Sequence, residues 1–540
     1  MDKALLPDDP EKLKELILQQ NRLLAAQNAA IADRDTVIVD RDAVIADKSA
    51  VIEELSEQVE LLKAIAFAKK SEMAKKPAKD EYQYSLFDEA EFVCEQSSFE
   101  PEVVQVPAHF RAKKGRKPIS ESIPRKEIVH DIPDEEKICA CGCELSRIGE
   151  VVSEKLDYVP AKIRVLRHVR PKYACKNCEG TEGDGPSVKI ASMPPQLIRQ
   201  GIVTPGLLAH ILINKFCDGL PFYRQNKMFE RLGIDISRST MSNWTVLAAE
   251  RCGPLMELMY EYLRSGRIIN LDETPVQVLK EPGRENTTKS YMWVACRSGT
   301  KPVVLFHYAP SRAGKIATEI VGDFKGYLQT DGYAGYNALG ESEGITHAGC
   351  MVHVRRKFMD VLKAGSKKKK GTASTVVALI AKLYRLEGRA RKEEASETEI
   401  LTMRTEKSSQ ILEKIHEIIT KSSSSVPPTS LLGKAISYAL GQWARITVFL
   451  ENPTLSLDNN IAENAIRPFA VGRKNWLFSG SPRGAEASAT LYSLIETAKA
   501  NKLNPADYLC ELFEKLPHAQ SSTDLEALMP WAVSKNAETK

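Results

Sequence analysis

The 540-residue sequence has no uninterrupted apolar run of the roughly 18 residues that a membrane-spanning helix needs. Its first residues, Met1-Asp-Lys-Ala-Leu-Leu-Pro7, lack the apolar core of a secretory signal. A soluble, cytoplasmic chain with no membrane partner is the expectation. A large net charge is missing too, since 75 Lys and Arg against 71 Asp and Glu leave only +4. The whole-molecule field is therefore weak, and any nucleic-acid surface has to be local. Cysteine is sparse except in one segment, where five of the 11 (Cys139, Cys141, Cys143, Cys175 and Cys178) cluster. In a reducing compartment such clustering favours a metal over disulfides.

Proline and glycine are absent between Leu16 and Leu62, while an apolar pair recurs every seven residues. The pairs include Leu16-Ile17, Leu23-Leu24, Val37-Ile38, Val44-Ile45 and Val51-Ile52. This pattern predicts a coiled coil over residues 10–68 and self-association, most simply as a dimer. Residues 69–125 alternate basic and acidic blocks without periodicity and read as a linker. The linker contains Gly115-Arg-Lys-Pro118. Arg116 and Lys117 can lie in the minor groove of A·T-rich DNA, and a solvated basic linker is the alternative.

Over residues 126–185, Cys139-Ala-Cys-Gly-Cys143 and Cys175-Lys-Asn-Cys178 flank a stretch, Val151 to Tyr173, rich in β-branched and aromatic residues. Two knuckles joined by a hairpin describe a zinc ribbon. Zn²⁺ would be held by Cys175, Cys178 and two of Cys139, Cys141 and Cys143. Residues 195–255 are helical in pattern. Gly233 closes one helix, and Ser237 or Ser239 caps the next, as in a helix-turn-helix. Arg238, Ser239 and Asn243 would then face DNA; an ordinary helical subdomain is the alternative.

Arg267-Ile-Ile-Asn-Leu-Asp-Glu-Thr-Pro-Val-Gln-Val-Leu279 reads as a buried strand with a carboxylate, Asp272, in its middle. Taken alone, Asp272 more commonly ends the strand in a solvated turn. Strands at Ser290–Cys296 and Pro302–Tyr308 follow, then a helix over Ser311–Phe324. A short strand, Tyr327–Thr330, ends at Asp331, with Gly332 permitting a sharp exit. A helix over Ala334–Leu339 and a strand over Ile345–Ala348 complete the series. Three strands, helix, strand, helix, strand is the order of an RNase H-like domain, in which the first and fourth strands are neighbours. Asp272 and Asp331 would converge there and bind Mg²⁺ or Mn²⁺.

Glu463 is the candidate third acid, on a helix capped by Asp458. Ile461, Ala465 and Ile466 should face the core, and Glu463, Asn464 and Arg467 a rim. Arg467, Arg473 and Lys474 would supply charge for phosphate, while Trp476 fills the core. Glu273 points to the other side of its strand from Asp272 and stays outside the catalytic set. The core is thus split into 265–364 and 453–497 by a helical insertion, 365–452, and a small module occupies 498–537. In His347-Ala-Gly-Cys-Met-Val-His-Val-Arg-Arg-Lys-Phe358, Cys350 and His353 could ligate a metal. A helix start with an exposed basic face is the preferred reading, with Arg355, Arg356 and Lys357 as DNA contacts.

Assembled, these blocks resemble a DDE transposase of the insertion-sequence-66 family over nearly the whole chain. The resemblance rests on Ser85-Leu-Phe-Asp-Glu89, Gly115-Arg-Lys-Pro118, Leu271-Asp-Glu-Thr-Pro275 and Thr330-Asp-Gly-Tyr333. His353-Val-Arg-Arg-Lys-Phe358 and Asn460-Ile-Ala-Glu-Asn-Ala-Ile-Arg-Pro468 are especially specific. It implies a multidomain α+β protein with Asp272, Asp331 and Glu463 as catalytic triad. It further implies end cleavage and strand transfer at terminal inverted repeats, self-association, possible element-encoded accessory proteins, and a bacterial, nucleoid-associated setting. The first cysteine knuckle departs from the family's commoner C-x-x-C. A catalytically silent DNA-binding repressor and a nuclease without strand transfer are the rival classes. The three acids argue against the first, and nothing in the sequence separates joining from hydrolysis alone.

Overall fold

The computed structural model describes residues 163–174, 188–364 and 371–533, with helical positions between Glu11 and Val59. They fall into two compact units, Met1–Phe99 with Pro195–Lys540, and Glu100–Pro194. Arg116, Lys117, Cys139, Cys141, Cys143, Cys175 and Cys178 lie outside the described residues, as do the whole linker and most of the heptad segment. The described N-terminal positions are helical, and Ile17, Leu23, Leu24, Ile52 and Val59 of the heptad stripe are exposed on the single chain. Among the described residues no helix is long and apolar enough to cross a membrane.

In the smaller unit, β1 (Lys172–Ala174) pairs antiparallel with β2 (Val188–Ile190), Tyr173 opposite Lys189. The strand at Tyr173 pairs with a partner beyond the second knuckle, and most of the stretch expected to form a hairpin between the knuckles lies outside the described residues. Residues 163–171 carry no regular element, and all are exposed. With basic residues interrupting the apolar ones, that stretch has no clean alternation to give it a buried face.

The larger unit opens with four helices. Thr204 caps α1 (Pro205–Phe216) by accepting from the Leu207 N–H. α2 (Phe222–Arg231) ends at Gly233, whose φ of +76° lies in the left-handed region that glycine tolerates. Ser237, not Ser239, caps α3 (Arg238–Arg251), accepting from the Thr240 N–H. Met241, Trp244, Thr245 and Ala248 of α3 are buried at helical spacing, while Arg238, Ser239, Ser242 and Asn243 are exposed. α4 (Gly253–Arg264) leads into the sheet.

Six strands form that sheet: β3 (Ile268–Val278), β4 (Lys289–Arg297), β5 (Val303–Ala309), β6 (Gly326–Gln329), β7 (Ile345–Ala348) and β8 (Phe478–Ser479). The order is β5-β4-β3-β6-β7, with β8 added parallel to the far end of β3. β4 is antiparallel to both β3 and β5, whereas β6 is parallel to β3 and β7. β4 is a nearly continuous buried run, as a strand covered on both faces should be. The helix expected from Ser311 contracts to α5 (Gly314–Val321), because Arg312 is drawn to Glu273 and Gly322 turns the chain at φ +59°. A 3₁₀ turn at Ala334–Tyr336 and α6 (Asn337–Gly340) join β6 to β7.

α7 (Met351–Ala364), α8 (Thr372–Lys392), α9 (Glu397–Met403), α10 (Ser409–Ser423), α11 (Leu431–Gly441) and α12 (Trp443–Ile446) build a helical layer with its own core, including Phe358, Ile380, Leu383 and Ile415. Arg404 lies in a π-helical turn between α9 and α10 and is 1% exposed. It donates to both oxygens of Glu387, at 2.9 and 2.7 Å, and to the carbonyls of Phe449, Asn452 and Leu455. The chain is thereby held just before α13 (Asn460–Trp476). α14 (Pro482–Ala500) covers the edge strand β5, and its Ser493 and Thr497 hydroxyls accept the β5 N–H groups of Phe306 and Val304. α15 (Pro505–Lys515) and α16 (Ser522–Ala527) close the unit, joined where the Tyr508 hydroxyl donates to the Leu528 carbonyl.

Candidate active site

β3 and β6 pair in parallel, with Ile269 opposite Leu328 and Asn270 opposite Gln329. Two residues further along each chain are Asp272 and Asp331. Side chains two apart on a strand share a face, so this register brings the two acids level with one another. β3 continues six residues beyond Asp272 to Val278, which removes the turn reading. Asp272 is half-buried. Burial, then the charges of Glu273, Glu463 and Asp331, push its carboxyl well above the usual carboxylate range. A hydrogen bond from the Glu273 N–H at 2.9 Å opposes that shift. Asp331 accepts the Tyr333 N–H at 2.9 Å, which fixes its side chain in a tight turn. Gly332 is needed for a different reason than a left-handed exit: a Cβ there would collide with the Tyr438 hydroxyl of α11.

Glu463 lies in the first turn of α13 and is buried. The helix begins one residue later than expected. Asn459 takes the cap position, and Asp458 instead accepts the Asn460 N–H at 3.1 Å from a buried site. Its buried face is shifted as well: Ile461 is exposed, and Ala462 and Glu463 turn inward with Ile466. The expected rim position of Glu463 is corrected accordingly. α13 lies against β3, so the face that meets the sheet carries the acid.

Beneath the acids lies a buried amide cluster that sequence reasoning missed. The Asn270 Nδ2 donates to Gln329 Oε1 at 3.1 Å and to Asn459 Oδ1 at 3.0 Å. Asn459 donates to the Leu271 carbonyl at 2.9 Å, and Gln329 to the Ser456 carbonyl at 2.7 Å. Each of these amides lies two to four residues before one of the acids. A signal was present, since a polar residue inside the apolar run Ile268-Ile-Asn-Leu271 must find a partner when buried. The partner itself could not be read.

Glu273 stands apart from the acid cluster in its hydrogen bonding. Its side chain is 1% exposed; Arg312 donates to it at 2.6 Å, and the Tyr336 hydroxyl donates to it as well. Burial raises its carboxyl, and Tyr336 and Arg312 pull it back. Arg312 also lies 3.7 Å from the Tyr333 ring centre. This network braces the turn after Asp331 against β3. Neither Arg312 nor Tyr336 was singled out in the sequence.

Of the basic residues, Arg473 donates to the Thr274 hydroxyl at 3.3 Å, two residues along β3 from Asp272. Arg467 is half-buried within the field of Glu463, and Lys474 is exposed. The basic face expected on α7 is only partly open, because Arg355 and Arg356 are half-buried and only Lys357 is exposed. Arg238, Ser239 and Asn243 lie on α3, outside this cluster. Trp476 packs edge-on against Phe469, as expected of a core side chain.

Asp272 lies in the combined negative field of Asp331 and Glu463 in a partly desolvated setting. Such a set is relieved by protons or by a cation. An all-oxygen donor set of carboxylates with open positions for water fits a hard divalent ion such as Mg²⁺ or Mn²⁺.

Comparison with known proteins places these features in context. Residues 200–487 match the model of the transposase IS66 family. Residues 136–179 match the zinc-finger binding domain of transposase IS66, and residues 493–531 the IS66 C-terminal element. Residues 54–128 match a model described as transposase C of IS166 homeodomain. Similar chains include the uncharacterized protein y4qI of Sinorhizobium fredii, 33% identical over 548 residues and covering 99% of each chain. Another, y4jD of the same organism, is 33% identical over 425 residues, covering 76% of this chain and 80% of its own. With the principal match spanning the six-stranded sheet and helical layer, and likeness to y4qI end to end, this chain belongs to the IS66 family of transposases.

Proposed function

We propose that the protein binds the terminal inverted repeats of an insertion sequence and cuts and joins DNA at Asp272, Asp331 and Glu463 in an RNase H-like core. The observation that carries this reading is the parallel register of Asn270 with Gln329, which aligns two acids beside the first turn of α13. The sheet order, with its second strand antiparallel, supports the fold assignment.

Asp272, Asp331 and Glu463 would hold Mg²⁺ or Mn²⁺, which when bound activates the attacking oxygen and stabilises the leaving one. The protein's own part is positional. The amide cluster fixes the acids before DNA arrives, and Arg467 and Arg473 offset phosphate charge. Water attacks the end phosphodiester and frees a 3′-hydroxyl. That hydroxyl attacks a target phosphodiester in line, and the target's own 3′-oxygen leaves.

Around this centre, Cys175, Cys178 and two of Cys139, Cys141 and Cys143 would hold the zinc of the finger domain. Arg116, Lys117, Arg238, Ser239, Asn243, Arg355, Arg356, Lys357 and Lys474 would contact DNA, and the heptad segment would pair two copies. Element-encoded accessory proteins would join at the nucleoid, in the cytoplasm.

The test incubates the full chain with labelled terminal-repeat DNA, a target plasmid and Mg²⁺, beside Asp272→Ala, Asp331→Ala and Glu463→Ala. Joining by the wild type, lost in each variant while repeat binding persists, is the expected result. Hydrolysis with no joined product would assign a nuclease, and binding with neither a repressor. Activity retained in Glu463→Ala would move the third acid to Glu486 or Glu496 on α14.

A further inference from the structure

A second set of ligating side chains flanks the acid site, and the chemistry above leaves two of its three members unused. Cys350 immediately precedes α7, and His353 follows three residues later in its first turn, so both can face one side. Glu463 approaches them from α13. The Cys350 sulfur, a His353 ring nitrogen and a Glu463 carboxylate oxygen lie within 4.8 Å of one another. His353 Nδ1 and Glu463 Oε1 are 3.7 Å apart. That is too long for a hydrogen bond, and near the spacing of about 3.4 Å for two such ligands on one tetrahedral ion.

Two features favour a ligand role over simple packing. His353 Nδ1 is buried and makes no hydrogen bond among the described residues. The Cys350 sulfur accepts the Asn459 N–H at 3.3 Å, which turns it toward the start of α13, the helix that carries Glu463.

We propose that Cys350, His353 and Glu463 form a binding site for one zinc-class divalent ion, distinct in donor chemistry from the all-oxygen acid cluster. Thiolate and imidazole select Zn²⁺ over Mg²⁺, and three protein ligands leave a fourth position for water. Uptake releases the thiol proton to solvent. Glu463 is common to both sites, so zinc bound here draws that carboxylate away from Asp272 and Asp331. This inhibitory consequence rests on the catalytic reading of Glu463; the binding itself does not.

The test titrates the metal-stripped full chain with Zn²⁺ against a chromophoric chelator. The wild type should take up two equivalents, one in the finger domain and one here. Cys350→Ala and His353→Ala should each lose one equivalent, as should Cys175→Ser with Cys178→Ser. Unchanged uptake in Cys350→Ala and His353→Ala, or no uptake in the Cys175/Cys178 double variant, overturns the proposal. The double variant leaves α7 untouched, so it decides even if Cys350→Ala misfolds. If Glu463→Gln loses one equivalent of zinc yet still joins DNA, the site stands and the catalytic reading of Glu463 falls.

Discussion

The side-chain amide of Asn270 donates to Asn459 Oδ1 at 3.0 Å, across 189 residues of sequence. That single contact joins the strand of Asp272 to the helix start of Glu463. Gln329, bonded to the same amide nitrogen, brings in the strand of Asp331. The acids are therefore tied to one polar layer below them.

Removing the hub of that layer should slow chemistry without touching DNA recognition. Asn459→Ala leaves the Asn270 amide short of an acceptor and the Leu271 carbonyl short of a donor. Each unmet buried group costs about 1–3 kcal/mol. A lower melting temperature and slower Mg²⁺-dependent end cleavage are expected, with repeat binding by gel shift unchanged. Cleavage at the wild-type rate would show that the acids are held some other way.

The acid cluster should make stability depend on pH. Burial and neighbouring carboxylates raise the Asp272 carboxyl above its ordinary 3.8. A raised folded-state value means that the stabilising contribution is complete below 3.8 and is lost as pH climbs through the raised value. In chelator, the melting temperature should fall over that rise in pH, and Asp272→Asn should flatten the fall. At neutral pH, Mg²⁺ should raise the melting temperature of the wild type more than that of Asp272→Asn. Thermal melts across pH, with and without Mg²⁺, measure both effects.

Arg404→Ala should be among the most damaging substitutions away from the acids. It strands Glu387, which is 5% exposed, and frees three carbonyls ahead of α13. Breaking one side of a buried pair costs about 3–5 kcal/mol. Urea unfolding should show that loss. Arg404→Met combined with Glu387→Met should recover part of it, because no buried charge is then left alone.

The exposed face of α3 should carry affinity and little stability. Arg238→Ala should weaken repeat binding and lower the slope of log affinity against log salt by about 1 if Arg238 meets a phosphate. Asn243→Ala should weaken binding with melting unchanged, since its side chain is exposed and the Met241, Trp244 and Ala248 core stays intact. Unaltered binding in both would remove α3 from the DNA interface.

Much of the six-stranded sheet was legible in the chain. Strands β3, β4, β5 and β7 appear within a residue or so of where apolar, β-branched runs put them, and α8 does likewise. These elements are specified by local periodicity and burial, which a single sequence carries. Errors fell where a tertiary contact overrode the local pattern. Arg312 leaves its expected helix for Glu273, and Asp458 yields the cap to Asn459.

The sequence by itself determined which residues could do chemistry: acids placed in or beside apolar strands, cysteines in knuckles, and a capped helix with a polar face. Only the tertiary structure decided which of them meet. The parallel pairing of β3 with β6 aligned Asp272 with Asp331, and the Asn270–Asn459 bond brought Glu463 to them. Packing of α7 against that helix start added Cys350 and His353, which no spacing along the chain could tie to Glu463. Local pattern is set by neighbours a few residues away, whereas convergence depends on register and helix docking, which appear only when distant segments pair.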